Sequence, residues 1–364
     1  MQIADRAYRS IWIDDATDLL QIIDQTRLPH RFEIRTIRDV ASAAEAIRMM
    51  RVRGAPLIGA TAAHAIALAL SNDPGDDALV RAENELIATR PTAINLRWAV
   101  SRVISAISSC SLDERAARAR NEAIAICDED VVCCESIGDH GLAILQDMAA
   151  AKQGEPIQIL THCNAGWLAT VDWGTALAPI YKAHRSGLPI HVWVGETRPR
   201  NQGASITAFE LREQGVPHTV VVDNAGGHLM QRGLVDAVIV GSDRTSASGD
   251  VCNKIGTYLK ALAAKANDIP FYVALPSSTI DWEIEDGLRE IPIEERDALE
   301  VREMEGLDRA GQLQRVALFD ESSPVANPAF DVTPARYVTS LITEHGLFEP
   351  SRDGLRALRT RINM

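Results

Sequence analysis

A chain of 364 residues, 46% hydrophobic and 24% charged, has the composition of a folded globular protein, and its length exceeds what one core usually serves, so two domains are expected. Disordered and fibrous classes are excluded on the same grounds. A formal charge of −13 argues against a nucleic-acid partner, whose phosphates are bound by Lys and Arg, so any anionic ligand must meet a local basic pocket. The segment Met1 to Arg6 shows no basic-then-apolar signal pattern, and no apolar run approaches the ~20 residues of a membrane span, so a cytoplasmic protein with no membrane attachment is expected. The six cysteines are expected as thiols. Cys127, Cys133, Cys134 and His140 share a helical stretch without a C-x-x-C pair, which implies neither metal nor other cofactor.

In chain order, the stretches Ala7 to Ile13 and His30 to Arg35 alternate like half-buried strands and predict a small antiparallel sheet. Helical, Ala-rich patterning follows from Ala41 to Met50, from Pro56 to Leu70, and from Thr92 through Ile107. A long amphipathic stretch, Asp113 to Met148, ends at Lys152 to Pro156 and is expected to hold the domain boundary. This gives an N-terminal α+β domain over residues 1–128 and a catalytic domain over 129–364. In the second domain, apolar runs at Ile157–Leu160, Ile190–Val194, Thr219–Val222, Ala237–Val240, Phe271–Leu275 and Val316–Phe319 alternate with helical stretches. Runs apolar on both faces, separated by helices, predict an α/β fold with a Rossmann-like, doubly wound parallel sheet.

Ligands bind such sheets beyond the carboxyl ends of the strands, so the strand tips carry the functional signal. They read Thr161-His162-Cys163-Asn164-Ala165-Gly166, Gly195-Glu196-Thr197-Arg198, Asp223-Asn224-Ala225-Gly226, Gly241-Ser242-Asp243-Arg244, Pro276-Ser277-Ser278-Thr279 and Asp320-Glu321-Ser322. Helix caps explain part of this polarity but do not call for Cys, Glu, Arg and Asp together. No G-x-G-x-x-G follows the first strand, and no P-loop, G-x-S-x-G elbow or H-E-x-x-H helix occurs. Bound dinucleotide, P-loop hydrolysis and the common hydrolase chemistries are therefore disfavoured.

Cys163 is expected where a strand becomes a helix, a place that favours the thiolate. His162, its neighbour, should point to the opposite face. Taken singly, Cys163 and Asp243 are more often packing and capping residues, and Ser248-Gly249-Asp250 reads as a turn. Three clusters suit a phosphate: Arg51-Val52-Arg53-Gly54-Ala55-Pro56 and Arg90-Pro91-Thr92, each opening a helix, and Asn253-Lys254.

Taken together and in order, these stretches resemble the methylthioribose-1-phosphate isomerase family, whose fold is shared with the regulatory subunits of translation initiation factor 2B. The resemblance is carried by Arg53-Gly54-Ala55-Pro56, Arg90-Pro91-Thr92-Ala93-Ile94-Asn95-Leu96, the Cys163 and Asp243 tips, Gly195 to Pro199 with Gln202-Gly203, and Asp223-Asn224-Ala225. It continues through Asn253 to Tyr258, Ile291 to Arg296 and Asn327 to Pro334. It implies an aldose–ketose isomerase of methionine salvage, converting 5-methylthio-α-D-ribose 1-phosphate to 5-methylthio-D-ribulose 1-phosphate without a cofactor. Asp243 would be the proton donor and Cys163 the second catalytic group, with Arg53, Gly54, Ala55, Arg90, Gln202, Asn253 and Lys254 binding substrate. A homodimer is expected from the same resemblance. The rival readings are an isomerase of 5-deoxyribose 1-phosphate or ribose 1,5-bisphosphate, and a non-catalytic regulatory subunit. From Asp297 to Ser323 the chain departs from the family pattern: a short His-Ile-Gly-Gly-like turn gives way to Val301 to Asp308, which bears on the sugar's 5-substituent.

Overall fold

A computed structural model describes residues 1–90 and 93–363, which leaves Pro91 and Thr92 of the second arginine cluster outside the described residues. The predicted antiparallel sheet forms from Ile11–Ile13, Leu20–Ile23 and Ile34–Ile37. Alternation does not reveal its middle strand, because both faces of Leu20–Ile23 are largely covered. Helices α1 (Val40–Arg48), α2 (Ala55–Asn72), α3 (Asp76–Ile87) and α4 (Ile94–Ile107) pack beside it. The sequence reading did not include α3. Helix α2 is apolar all round, and its 18 residues are long and apolar enough to cross a membrane, contrary to the expectation that no such run exists. With 78% of that window buried inside the fold, it is the central core helix of this unit.

The connector is one helix, α5 (Leu112–Ala151), of 40 residues, started by a capping box in which Ser111 and Glu114 satisfy each other's backbone N–H groups. The core around α2 extends from Ile11 to Cys127 and takes in Val171 from beyond the connector. Met1, Ile3, Ile23 and Leu28 join the other core, against the large sheet.

That sheet has seven strands in the order Gly346–Phe348, Ser340–Thr343, Phe271–Ala274, Ala237–Val240, Ile157–His162, Ile190–Gly195, His218–Val221. All neighbours are parallel except Gly346–Phe348 at one edge. Its two faces bury different residues of the same strands: Ile159, Ile239 and Ala274 on one side, Leu160, Val238 and Val273 on the other. This is the Rossmann-like sheet the apolar runs predicted, with one correction. Val316–Phe319 is not a sheet strand; it overlaps Leu313–Ala317, which pairs with Glu303–Leu307 in a separate exposed hairpin. The strand it was expected to supply is Ser340–Thr343, and Asp320 to Ser322 lie in an exposed turn away from the sheet.

A second sheet, unexpected from the sequence, is built of Ile280–Asp281, Arg244–Ser246, Val251–Lys254 and Phe330–Thr333. The chain leaves Ala237–Val240 not into a helix but into this sheet, turning at Ser248-Gly249-Asp250, where Gly249 has φ +93°. The predicted turn is there. Its Asp250 carboxylate accepts backbone N–H groups of Gly287 (3.1 Å) and Ala335 (2.9 Å), a structural use that removes it as a rival catalyst.

Candidate functional site

The chain enters the large sheet at Ile157–His162, adds Ile190–Gly195 and His218–Val221 on one side, then returns to place Ala237–Val240 on the other. The order therefore reverses between Ile157–His162 and Ala237–Val240, and crevices for ligands open at such a reversal. Cys163 follows the first of these strands directly, and Asp243 follows the second by three residues.

Cys163 is 7% exposed and has φ +62°, a conformation uncommon outside glycine. Its N–H donates to Thr197 Oγ1 (2.8 Å), and its carbonyl accepts from Thr207 Oγ1 (2.6 Å). Thr197 is held at φ +67°, a conformation costly for a β-branched residue, while Asp223 accepts the N–H groups of Thr197 (2.8 Å) and Arg198 (2.7 Å). The chain does not pass from Cys163 directly into an α-helix, contrary to expectation. After Cys163 come an irregular turn and a single 3-10 turn at Trp167–Ala169, and the next α-helix starts only at Ala178. Burial accordingly pushes the Cys163 thiol up, and it is the charges of Arg53 and Lys254 that pull the other way. His162 does diverge from it: its ring contacts the Ile255 carbonyl (2.8 Å), and burial holds it well below the usual histidine range, as a neutral residue.

Asp243 donates its N–H to the Cys252 carbonyl (2.9 Å), closing the hairpin that brings Asn253 and Lys254 back to the same edge. Burial pushes its carboxyl above the usual range, against the charges of Lys254, Arg53 and Arg90. Lys254 is buried, with Nζ 4.7 Å from the centre of the Phe330 ring, and burial lowers its ammonium while Cys163 and Asp243 oppose that shift. Asn253, also buried, donates to Thr257 Oγ1 (3.0 Å).

The N-terminal unit delivers the turn before α2 to this edge. Gly54 caps α2 at φ +93°, and a Cβ there would lie 2.3 Å from the Ala169 carbonyl oxygen, so only glycine lets the turn rest against the segment after Cys163. Arg53, buried, donates to Asn164 Oδ1 (2.5 Å) and to the Asn164 carbonyl (2.7 Å). Its neighbour Arg51 is not part of the site, since it binds Asp24 (2.6 Å) and Glu45 (2.8 Å). Arg90, buried, pairs with Glu294 (3.0 Å). Arg53 and Gln202 line a cleft of about 590 Å³ between the units, whereas Ala55, Arg90 and Asp243 line an inner pocket of about 20 Å³. The Arg53-Gly54-Ala55 turn thus forms the wall between cleft and pocket. Gln202 precedes a π-helical turn, Gly203–Thr207, and its Oε1 is buried without a protein partner among the described residues.

The departing segment also borders the cleft, through Asp297, Leu299, Glu300, Glu303, Met304 and Glu305. Glu300 pins it there: Arg200 (2.9 Å) and Arg296 (2.6 Å) bind its carboxylate, and against the effect of burial they hold it down to about 2. Sequence reasoning gave no role to Asn164, Thr197, Glu210, Asp223 or Glu294. Each acts through a partner distant in the chain, and only Glu294 and the strand-tip residues stood inside quoted motifs.

With this geometry in place, comparison with known proteins is informative. The model of the initiation factor 2 subunit family matches residues 51–350. The methylthioribose-1-phosphate isomerase of Rhodospirillum rubrum is 61% identical over 98% of this chain and 93% of its own. That of Methylorubrum extorquens is 61% identical over 98% of both. Among solved structures, 5-methylthioribose 1-phosphate isomerase from Pyrococcus horikoshii aligns at TM-score 0.82 and 38% identity, covering 98% of this chain and 96% of its own. The A. fulgidus protein described as translation initiation factor eIF-2B subunit delta aligns at 0.78 and 38%, covering 98% and 100%. The chain belongs to the initiation factor 2 subunit family and, within it, to the methylthioribose-1-phosphate isomerases.

Proposed function

We infer that this protein is an aldose–ketose isomerase that converts 5-methylthio-α-D-ribose 1-phosphate to 5-methylthio-D-ribulose 1-phosphate, with Cys163 and Asp243 as its catalytic pair. The observation that carries the pair is their convergence at the sheet's reversal point within a group of cations: Arg53 and Lys254 act on both, and Arg90 acts on Asp243. Arg53, Arg90, Gln202, Asn253 and Lys254, with the Gly54-Ala55 turn, are proposed to bind the substrate.

The anomeric oxygen of an aldose 1-phosphate is esterified, so the ring cannot open by the ordinary route. The bond from C1 to the ring oxygen must break while phosphate stays on C1. Asp243, kept protonated further up the pH scale than an ordinary carboxyl, gives its proton to that departing oxygen. Hydrogen then moves from C2 to C1, and the C2 hydroxyl returns a proton to the Asp243 carboxylate as C2 becomes the ketone. In a proton-transfer route Cys163 takes the C2 hydrogen as a thiolate; in a hydride shift Cys163 stays neutral and steadies developing charge. The raised thiol places the first route at a disadvantage.

A pocket of about 20 Å³ holds about one water and not a sugar phosphate, so the space beside Asp243 must widen to admit substrate. The division into residues 1–128 and 129–364 is proposed on the extent of the first core, which ends at Cys127 apart from Val171. A cytoplasmic homodimer is likewise proposed, on the family resemblance.

The direct experiment supplies purified protein with methylthioribose 1-phosphate deuterated at C2, with 5-deoxyribose 1-phosphate and with ribose 1,5-bisphosphate, and follows ketose formation by NMR. The first substrate should turn over fastest and keep its label at C1. Preference for another sugar would reassign the substrate, and turnover of none would favour the regulatory-subunit reading that the A. fulgidus neighbour's description raises.

A further inference from the structure

Glu210 lies on the short helix Ala208–Glu213 and is wholly buried. Four groups donate to its two oxygens: Asn164 Nδ2 (3.0 Å) and the Leu168 N–H (3.0 Å) to Oε1, the Trp167 N–H (3.0 Å) and the Tyr181 hydroxyl (2.6 Å) to Oε2. Burial pushes the Glu210 carboxyl above the usual range, and the donors Tyr181, Asn164 and Leu168, with the Arg53 charge, pull the other way. The turn after Cys163 passes so close that a Cβ on Gly166 would sit 1.7 Å from Glu210 Oε2.

The Asn164 bond reaches furthest. An amide has a donor end and an acceptor end, and which end faces a guanidinium decides between attraction and repulsion. Glu210 and Thr207 Oγ1 (3.1 Å) both engage Asn164 Nδ2, which leaves Oδ1 turned toward Arg53, 2.5 Å from its Nη1. The second Arg53 nitrogen binds the Asn164 carbonyl (2.7 Å), so both guanidinium contacts depend on this one residue.

We propose that Glu210 is a positioning residue for the isomerisation: by fixing the Asn164 amide it holds the Arg53 guanidinium in the orientation that serves Cys163 and the substrate. It rests on the reading of Arg53 and Cys163 given above. Glu210 itself touches neither substrate nor reacting atoms.

The test is a double-mutant cycle in the full-length enzyme with methylthioribose 1-phosphate: Glu210→Gln, Arg53→Ala and the two combined, reading kcat and KM beside the circular-dichroism spectrum. Glutamine offers one acceptor oxygen for four donors, so Glu210→Gln should lose about 100-fold in kcat/KM, the scale of a misplaced catalytic contact, with its spectrum unchanged. The combined variant should lose no more than Arg53→Ala alone, because without the guanidinium Glu210 has nothing to orient. A purely structural carboxylate would give losses that multiply, which overturns the proposal and leaves the role of Arg53 standing. Near-normal kcat/KM in Arg53→Ala would instead overturn the site reading, and this proposal with it. Should Glu210→Gln fail to fold, Glu210→Asp, which keeps the carboxyl and withdraws it by one methylene, replaces it in the cycle. Its expected signature is the same non-multiplying loss, and wild-type kinetics in it would overturn the proposal.

Discussion

At Cys163 the backbone is left-handed, as it is at Thr197, which accepts the Cys163 N–H, and conformations of this kind cost about 1–3 kcal/mol each. The surrounding hydrogen bonds from Thr207 and to Asp223 offset that cost and set the direction of the thiol. Asp243 makes the clearest prediction at this scale. In the proposed mechanism its acid form is the active one, and burial raises its pKa, so kcat/KM should stay high above the usual carboxyl range and then fall as pH rises through the raised value. The measurement is a pH profile of kcat/KM, and a falling limb centred near the ordinary value of about 4 would contradict the acid role. Much of this was readable beforehand. The strand-tip motifs named Cys163 and Asp243, but the source of the Cys163 tuning was misread as a helix terminus, because nothing in Asn164-Ala165-Gly166 shows that the chain turns irregularly before the next helix.

Among the elements, the start of α2 matters most. Its N-cap, Gly54, meets the Ala169 carbonyl through a gap that no side chain fits. Gly54→Ala would combine a disfavoured φ with a clash against backbone, and should cost more than about 1 kcal/mol of stability and most of the activity, since Arg53 and Ala55 move with it. Thermal melts and kcat/KM measure the two effects; a variant with native melting and native kinetics would show that this contact is dispensable. The legibility of elements followed their burial. Strands covered on both faces, such as Ala237–Val240, matched their apolar runs. Val316–Phe319 is just as apolar, yet Val316 is 54% exposed on the hairpin beside the cleft and Phe319 is 39% exposed just after it. Apolarity marks a strand's preference for cover and does not say whether the fold supplies it.

For the molecule as a whole, an acidic chain carries a basic site by drawing it from distant places: Arg53 and Arg90 from the helical unit, Lys254 from the second sheet. Net charge could not reveal such a pocket, whereas the ordered motifs did, since each marks one of the pieces. Arg51 shows the limit of that inference, because an arginine two residues from the site serves Asp24 and Glu45 instead. The hairpin leaves Leu307 open to solvent on one face and Val316 on the other, with Leu318 exposed just beyond it, and such uncovered apolar side chains are compatible with the proposed homodimer. Sedimentation equilibrium should return twice the 39.6 kDa of one chain, and a monomer at micromolar concentration would remove that part of the proposal.

The central claim is that Cys163 and Asp243 perform the isomerisation. It is tested most directly by single-turnover ketose formation from methylthioribose 1-phosphate in Cys163→Ala and Asp243→Asn, beside the unaltered enzyme. Each variant should fold normally and lose about 10²–10⁴-fold in rate, the usual contribution of a positioned acid or base. A rate within a few-fold of the unaltered enzyme in either variant would contradict the account.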